Sequence, residues 1–301
     1  MANSQTKEST RALLSEIVDY AGLFPPSQLS MTEAVANYAK HKRSEYNWML
    51  GRFIVPAARL EEFADGAKNF FSGDAKVWKL GVLASEDIYG TVSEIEDFNA
   101  EYAPFAVCDA LEVKADTGAR IEQIAESVPP ELDAYFEIPI GENLADLIST
   151  IAICRRRAKI RTGGIVQSAF PRSEQITRFM RTCLAANVPF KATAGLHHPL
   201  RCEKPLTYEK DAETGTMHGF LNVFLAAAFL QRGFKPGVVR ELLEDERAEN
   251  FQFEDDGIFW RENHFVGTAH LKILRAKNLI SFGSCSFDEP IEDLTSLNIL
   301  H

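Results

Sequence analysis

The stretch Arg157-Ala158-Lys159-Ile160-Arg161-Thr162-Gly163-Gly164 has an echo downstream, Pro189-Phe190-Lys191-Ala192-Thr193-Ala194-Gly195-Leu196-His197-His198. Each reads as a short strand that carries a lysine and closes in threonine or glycine. The two lysines are separated by one strand–helix–strand unit. An ammonium is costly to bury in an apolar sheet unless it is paired. Two of them at matching places point to a polar site at the C-terminal ends of parallel strands, where α/β folds keep their chemistry. The plainer alternative is two surface lysines beside loops.

Outward from these strands the chain keeps a regular alternation. Upstream, strands are expected at 48–56, 77–84, 105–115, 134–140 and 158–162. Helices are expected between them, at 60–71, from a cap in 85–87 to about 102, and at 117–127 and 144–156. A further helix, 173–186, leads into the strand 190–194. Near the N-terminus, residues 9–20 place Leu13, Leu14, Ile17 and Val18 at helical spacing. Residues 21–24 make a short first strand, stopped by Pro25-Pro26. Ser30-Met31-Thr32-Glu33 has the pattern of a capping box.

After residue 194 the rhythm breaks. Residues 196–217 are polar and turn-rich, the pattern of a lid-like loop. Helices follow at 218–232 and 238–249, then an irregular stretch at 250–262 and a helix at 266–277. A last strand, Leu279–Ser284, and a last helix, 289–300, complete the chain. Eight strands alternating with helices over this length predict a (β/α)8 TIM barrel. An open doubly wound sheet is the alternative, but the GxGxxG turn of a dinucleotide fold is absent. No linker rich in Gly, Pro or Ser interrupts the chain. One domain over 1–301 is expected, with 1–8 disordered.

The composition excludes several classes of function. The chain has 301 residues, 46% hydrophobic and 25% charged, with a net charge of −11. That balance argues against nucleic acid as a partner. No apolar run reaches the ~18 residues of a membrane helix; the longest, 220–230, reads as a core helix. The N-terminus lacks the apolar region of a signal peptide. Cys108, Cys154, Cys183, Cys202 and Cys285 follow no pairing pattern, which suits a reducing compartment. The expectation is a cytoplasmic protein, compatible with a homo-oligomer, whose partner is a small molecule.

Polar residues gather at the expected strand ends. The fourth strand offers Asp109, Glu112 and Lys114, with Glu112 and Lys114 on one face. The fifth offers Glu137, the sixth Lys159 and Arg161, and the seventh Lys191 and Thr193. The eighth offers Ser284, Cys285 and Ser286. Charges embedded in such apolar strands are expected to be paired or functional. Interlocking salt bridges without a reaction would satisfy the same pattern.

Three segments fall in order on strands six, seven and eight: Lys159-Ile160-Arg161-Thr162-Gly163, Lys191-Ala192-Thr193-Ala194-Gly195 and Gly283-Ser284-Cys285-Ser286. Together they resemble the deoxyribose-phosphate aldolases, which are class I, Schiff-base aldolases. The family carries Lys-x-Ser-Thr-Gly around its imine-forming lysine, Lys-Ala-Ser-Gly-Gly around a second lysine that tunes it, and Gly-Thr-Ser-Ser for phosphate. The resemblance implies an imine on Lys159, tuning by Lys191, and proton transfer by Asp109 or Glu112. Glu137 is a further carboxylate candidate. Arg161, Thr162, Thr193, Gly195, His197, His198, Gly283, Ser284 and Ser286 are the expected substrate contacts, and no cofactor is required. Arg161 and Lys191 could equally clamp a carboxylate or phosphate of the substrate.

The sequence also departs from the family. Arg161 stands where the family has a small residue, and His197-His198-Pro199 replaces its usual turn. Phe287-Asp288-Glu289 follows the last motif, where a phosphate-binding helix start favours glycine and no acid. Phosphate as part of the substrate is therefore left open. A second reading takes His197, His198 and His218 with Glu112 and Glu137 as a divalent-metal site of a lyase or isomerase. In either case His218 and Asn222 are expected to face the site from the helix after the lid. A third reading is a non-catalytic barrel that binds a small anion or a partner protein.

Overall fold

The computed structural model describes residues 6–71 and 77–300. Eight parallel strands close a barrel: β1 (Val18–Tyr20), β2 (Leu50–Pro56), β3 (Trp78–Leu83), β4 (Ala106–Lys114), β5 (Asp133–Glu137), β6 (Arg157–Arg161), β7 (Phe190–Thr193) and, after five short strands outside it, β13 (Leu279–Ser284). Each strand pairs with its neighbour in sequence, and β13 lies between β7 and β1. This is the (β/α)8 architecture expected from the alternation. Lys159 and Lys191 lie directly opposite each other on adjacent strands.

The outer helices are α1 (Glu8–Leu14), α2 (Met31–Lys42), α3 (Leu60–Ala67), α4 (Ile88–Tyr102), α5 (Gly118–Ser127), α6 (Leu144–Ile153), α7 (Ser173–Ala185), α8 (Phe220–Gln231), α9 (Pro236–Leu243), α10 (Thr268–Lys277) and α11 (Asp288–Ser296). The capping box at Ser30 forms, with Ser30 Oγ accepting from the Glu33 N–H. Asp87 caps α4 through the Gly90 N–H. Period-two alternation sends Phe53, Ala158, Ala192 and Phe282 outward into the apolar layer between strands and helices. There Phe53 packs on Tyr38 and Phe63, and Phe282 on Phe220 and Phe224. Helix α8 is apolar nearly all round and is buried from Phe220 to Phe229, as such a helix must be.

The first strand corrects the expectation. The helix stops at Leu14, Glu16 turns through a left-handed conformation (φ 48°), and the strand is Val18–Tyr20 rather than residues 21–24. Leu13, Leu14, Ile17 and Val18 satisfy the helical period, but Ile17 leads into the strand and Val18 is its first residue. Asp19 is thereby turned into the barrel, between the outward-facing Val18 and Tyr20. The N-terminal expectation is corrected in part. Residues 1–5 lie outside the described residues, whereas Glu8 already opens α1 and Lys7 pairs with Glu254 at 3.2 Å.

Two stretches expected to be irregular carry strands. Residues 196–217 hold the antiparallel hairpin β8 (Cys202–Pro205) and β9 (Thr214–Met217). Residues 250–267 form a three-stranded antiparallel sheet: β10 (Phe251–Phe253), β11 (Gly257–Trp260) and β12 (His264–Gly267). The helix expected from 266 therefore begins at Thr268. Strands this short escape a periodicity reading. The sheet is anchored by buried Asp245, which accepts from Trp260 Nε1 at 2.9 Å and from Asn250 Nδ2 at 2.7 Å. Among the described residues no helix is long and apolar enough to cross a membrane.

Candidate active site

The inward faces of the strands carry charge where a barrel of this kind usually carries Val, Ile and Leu. At the C-terminal end a chain of alternating charges crosses the interior. Lys191 Nζ donates to Asp19 Oδ2 at 2.5 Å and also to Glu112 Oε1. Lys159 Nζ donates to the other oxygen, Glu112 Oε2, at 2.6 Å and contacts Glu137 Oε2 at 2.9 Å. Arg161 Nε donates to Glu137 Oε1 at 3.0 Å. Asp19 is completed by Ser281 Oγ at 2.6 Å and by the Arg52 backbone N–H at 2.9 Å. Three carboxylates and three cations thus balance, with Lys191 only 1% and Lys159 4% exposed.

Burial alone would push the Glu112 carboxyl up. The ammonium charges of Lys159 and Lys191 outweigh that and hold it down at about 2. Burial likewise favours loss of the Lys191 proton, but Asp19 and Glu112 hold it above the ordinary lysine range. Glu137 is pushed up by burial and brought below its usual range by Lys159 and Arg161. Both lysines therefore communicate through one shared carboxylate, Glu112. Lys191 also stacks over the Tyr135 ring at 5.1 Å.

Above this floor opens a cavity of about 750 Å³. Glu112, Glu137, Lys159 and Arg161 line its base; Phe24, Pro26, Ile54 and Leu83 supply apolar wall. Lys191 lies behind Glu112 and does not line the cavity. The expectation that it could clamp a substrate anion is thus corrected: among the described residues its Nζ is taken up by Asp19 and Glu112. Thr193, Gly195, His197 and Gly283 line the wall on the β7 and β13 side, with Lys114 and Arg120 on the opposite rim. The ends of β6 and β7 meet closely. A Cβ on Gly195, which has φ +75°, would sit 2.7 Å from the Gly163 Cα. Only glycine suits both needs.

The remaining candidates lie elsewhere. Asp109 sits at a bulge in β4, where Leu80 pairs with Cys108 and Gly81 with Ala110. It accepts from Arg52 Nε at 2.5 Å and Nη2 at 3.0 Å, below the site and off the cavity. The bulge adds a residue that strict alternation does not anticipate. Thr162 is fully buried, and its Oγ1 donates to the Ala194 carbonyl at 2.7 Å, stitching β6 to β7. Ser284 Oγ accepts from the Ser286 N–H at 3.3 Å, and Ser286 Oγ accepts from the Glu289 N–H at 3.1 Å. Those hydroxyls organise the start of α11, and neither lines the cavity.

The histidine grouping does not form. His198 Nδ1 lies 2.6 Å from Asp293 Oδ2, and His218 Nε2 donates to the Pro171 carbonyl at 2.7 Å. Asn222 is buried and bonds the Leu242 and Asp245 carbonyls at 2.7 and 2.8 Å, so it ties α8 to the end of α9. Among the described residues no group of three or more His, Cys, Asp or Glu is placed to hold a metal ion. Two residues of the site escape the reading of the sequence. Asp19 is hidden by the helical spacing of 9–20; its place between Val18 and Tyr20, an acid between two outward-facing residues of a short strand, is the signal. Ser281 alternates with Gly283 on the inward face of β13 and has no other mark.

No family model and no curated protein matches the chain. Among solved structures it is similar to one described as a novel GH10 endoxylanase retrieved from a sugarcane soil metagenome, with 9% identity and a TM-score of 0.38 over 91% of this chain and 100% of that one. A likeness at that level carries no argument about reaction or substrate here.

Proposed function

We propose that the chain is a carbon–carbon lyase, similar to the class I aldolases, that acts on a small carbonyl compound through an imine on Lys159. The observation that supports this reading is the position of Lys159. Its Nζ stands at the floor of an open cavity between two carboxylates, while the second lysine is shielded behind one of them. Forming the nucleophile requires a proton to leave Lys159, and Glu137 at 2.9 Å, which lines the cavity and is not shared with Lys191 as Glu112 is, is the acceptor. The amine then adds to the carbonyl carbon, water leaves, and an iminium takes the place of the ammonium.

That exchange keeps a single positive charge at the same point. Glu112 and Glu137 therefore stabilise the iminium without rearranging, which is the advantage of a preorganised charged site. Cleavage sends the bond pair into the iminium and leaves a neutral enamine; the carboxylate of Glu137 receives the proton of the departing hydroxyl. Lys191, held as a cation by Asp19, fixes the orientation and the ionised state of Glu112. The test is borohydride treatment of the full chain with a panel of short aldehydes and ketones, read as intact mass. A carbonyl-dependent mass increase is expected and should vanish in Lys159→Arg, since a guanidinium stays protonated and is a poor nucleophile. An unmodified chain across the panel, together with activity lost to a chelator, would sink the imine reading in favour of a metal lyase.

A further inference from the structure

The cavity wall at the ends of β7 and β13, beside Lys159, holds a second group of reactive side chains, which the imine chemistry does not use. Cys285 follows β13 and His197 follows β7, so the two strand ends deliver them side by side. Cys285 Sγ lies 3.9 Å from His197 Nδ1, and both side chains line the cavity. The same Nδ1 lies 3.5 Å from Glu289 Oε2. A proton on Nδ1 is therefore placed between a sulfur and a carboxylate. Tyr208, in the turn between β8 and β9, brings its hydroxyl to 3.9 Å from the sulfur. Ser27 Oγ donates to the Cys285 carbonyl at 3.2 Å and fixes the backbone there.

We propose that Cys285 and His197 form a thiolate–imidazolium pair, a second nucleophilic site in the cavity that takes soft carbon electrophiles of the conjugated-carbonyl class. The thiolate is the nucleophilic form of cysteine, and an adjacent imidazolium favours it. β6 and β13 are separated by one strand, so about 10 Å of cavity lies between the two nucleophiles at ~4.8 Å per strand. A small unsaturated carbonyl compound fits that span, and the largely apolar wall of Phe24, Pro25 and Pro26 suits its carbon chain. In the addition, a bond forms from Sγ to the β-carbon. The π pair of the C=C bond shifts to the α-carbon, which takes the proton from His197 Nδ1. Thiolate and imidazolium are discharged together, and nothing is oxidised or reduced.

The charged neighbours are consistent with this. Burial works against both charged forms. The pairing outweighs it, lowering the Cys285 thiol below its ordinary range and raising His197 to about 9. The groups that face the pair come from several elements: Glu289 on α11, Tyr208 on the hairpin, Tyr20 on β1 and Ser27, while His198 and Lys204 act on Glu289. The other cysteines offer a built-in control. Cys154 and Cys202 are more exposed than Cys285, yet burial is the leading cause that raises both of their thiols. Exposure and nucleophilicity are thus set against each other within one chain.

The test is labelling of the native full chain with iodoacetamide at pH 7, and separately with methyl vinyl ketone, located by peptide mass spectrometry. Cys285 is expected to react first, about tenfold faster than Cys154 or Cys202. His197→Gln should slow it by about tenfold at pH 7 and move the midpoint of its rate upward in pH. If Cys154 or Cys202 reacts first, if Cys285 stays unlabelled in the folded chain, or if His197→Gln labels at the wild-type rate, the proposal fails. Should His197→Gln not fold, the thiolate ultraviolet absorbance of the wild type decides instead. Subtracting Cys285→Ser should leave a signal that titrates below the ordinary thiol range; titration at or above that range overturns the pair. None of these outcomes depends on an imine at Lys159.

Discussion

Two sets of ion pairs fill the barrel interior, one above the other. The lower set joins Arg52, Asp109, Asp133 and Arg157 near the N-terminal ends of their strands. Arg52 grips Asp109 with two nitrogens, and Arg157 Nη2 meets Asp133 Oδ1 at 2.6 Å. The upper set runs from Asp19 through Lys191, Glu112, Lys159 and Glu137 to Arg161. Tyr135 lies between the two, with Arg157 5.5 Å and Lys191 5.1 Å from its ring. Both sets balance positive against negative. They differ in access to water and in what they face. Asp109, Asp133 and Arg157 are 28–30% exposed, whereas Asp19 and Lys191 are 1% exposed and the upper chain opens on the cavity. A buried ion chain contributes little over apolar packing of the same volume. On the lyase reading proposed above, its place beneath the cavity gives it a chemical role, and the partly hydrated lower set a structural one.

This contrast predicts its largest effect for Lys191→Met. Two carboxylates, Asp19 and Glu112, would lose their shared cation in a buried site, costing about 3–5 kcal/mol. Arg52→Met leaves Asp109 with access to solvent and should cost only about 1–2 kcal/mol. Denaturant unfolding of the two variants makes the comparison. Equal losses would mean that the two sets do not differ in the way described.

The acid limb of stability sharpens the same contrast. Glu112 falls from an ordinary 4.5 to about 2 in the folded chain. A carboxyl lowered in this way contributes stability that is complete above pH 4.5 and is lost as pH falls through 2. A shift of that size corresponds to about 3 kcal/mol. Glu112→Gln should remove that part of the acid dependence, whatever its effect at neutral pH. An unchanged slope between pH 4.5 and 2 would show that Glu112 is not held ionised by the lysines.

The outer end of the chain should matter least for stability. The Arg161 side chain is 47% exposed. Its pair with Glu137 is screened by water, so Arg161→Gln should change unfolding by less than about 1 kcal/mol. A loss comparable to that of Lys191→Met would place Arg161 inside the buried network.

What the sequence makes legible follows the same division. The barrel is readable because each βα unit alternates strongly, and the echo of Lys159 and Lys191 places both lysines on adjacent strands in register. Glu112 and Glu137 are readable as acids on apolar strands. Asp19 is not, because a three-residue strand leaves no period to detect and its apolar neighbours also fit a helix. Asp109 is misplaced because a bulge breaks the two-residue alternation that would assign its partners. His198, His218 and Asn222 are drawn toward the site by nearness in sequence. Each instead finds a local partner, Asp293, the Pro171 carbonyl, and the carbonyls at the end of α9. Polarity at a strand end marks where a site can be, and the partners on other elements decide whether the residue joins it.

The comparison between the two lysines is the most direct test of the account. The full chain is treated with borohydride and the carbonyl that gives the largest mass increase, then digested, and each lysine-containing peptide is weighed. The account predicts an adduct on Lys159, which faces the cavity, and none on Lys191, which lies behind Glu112 between two carboxylates. An adduct on Lys191 with Lys159 unmodified would contradict it.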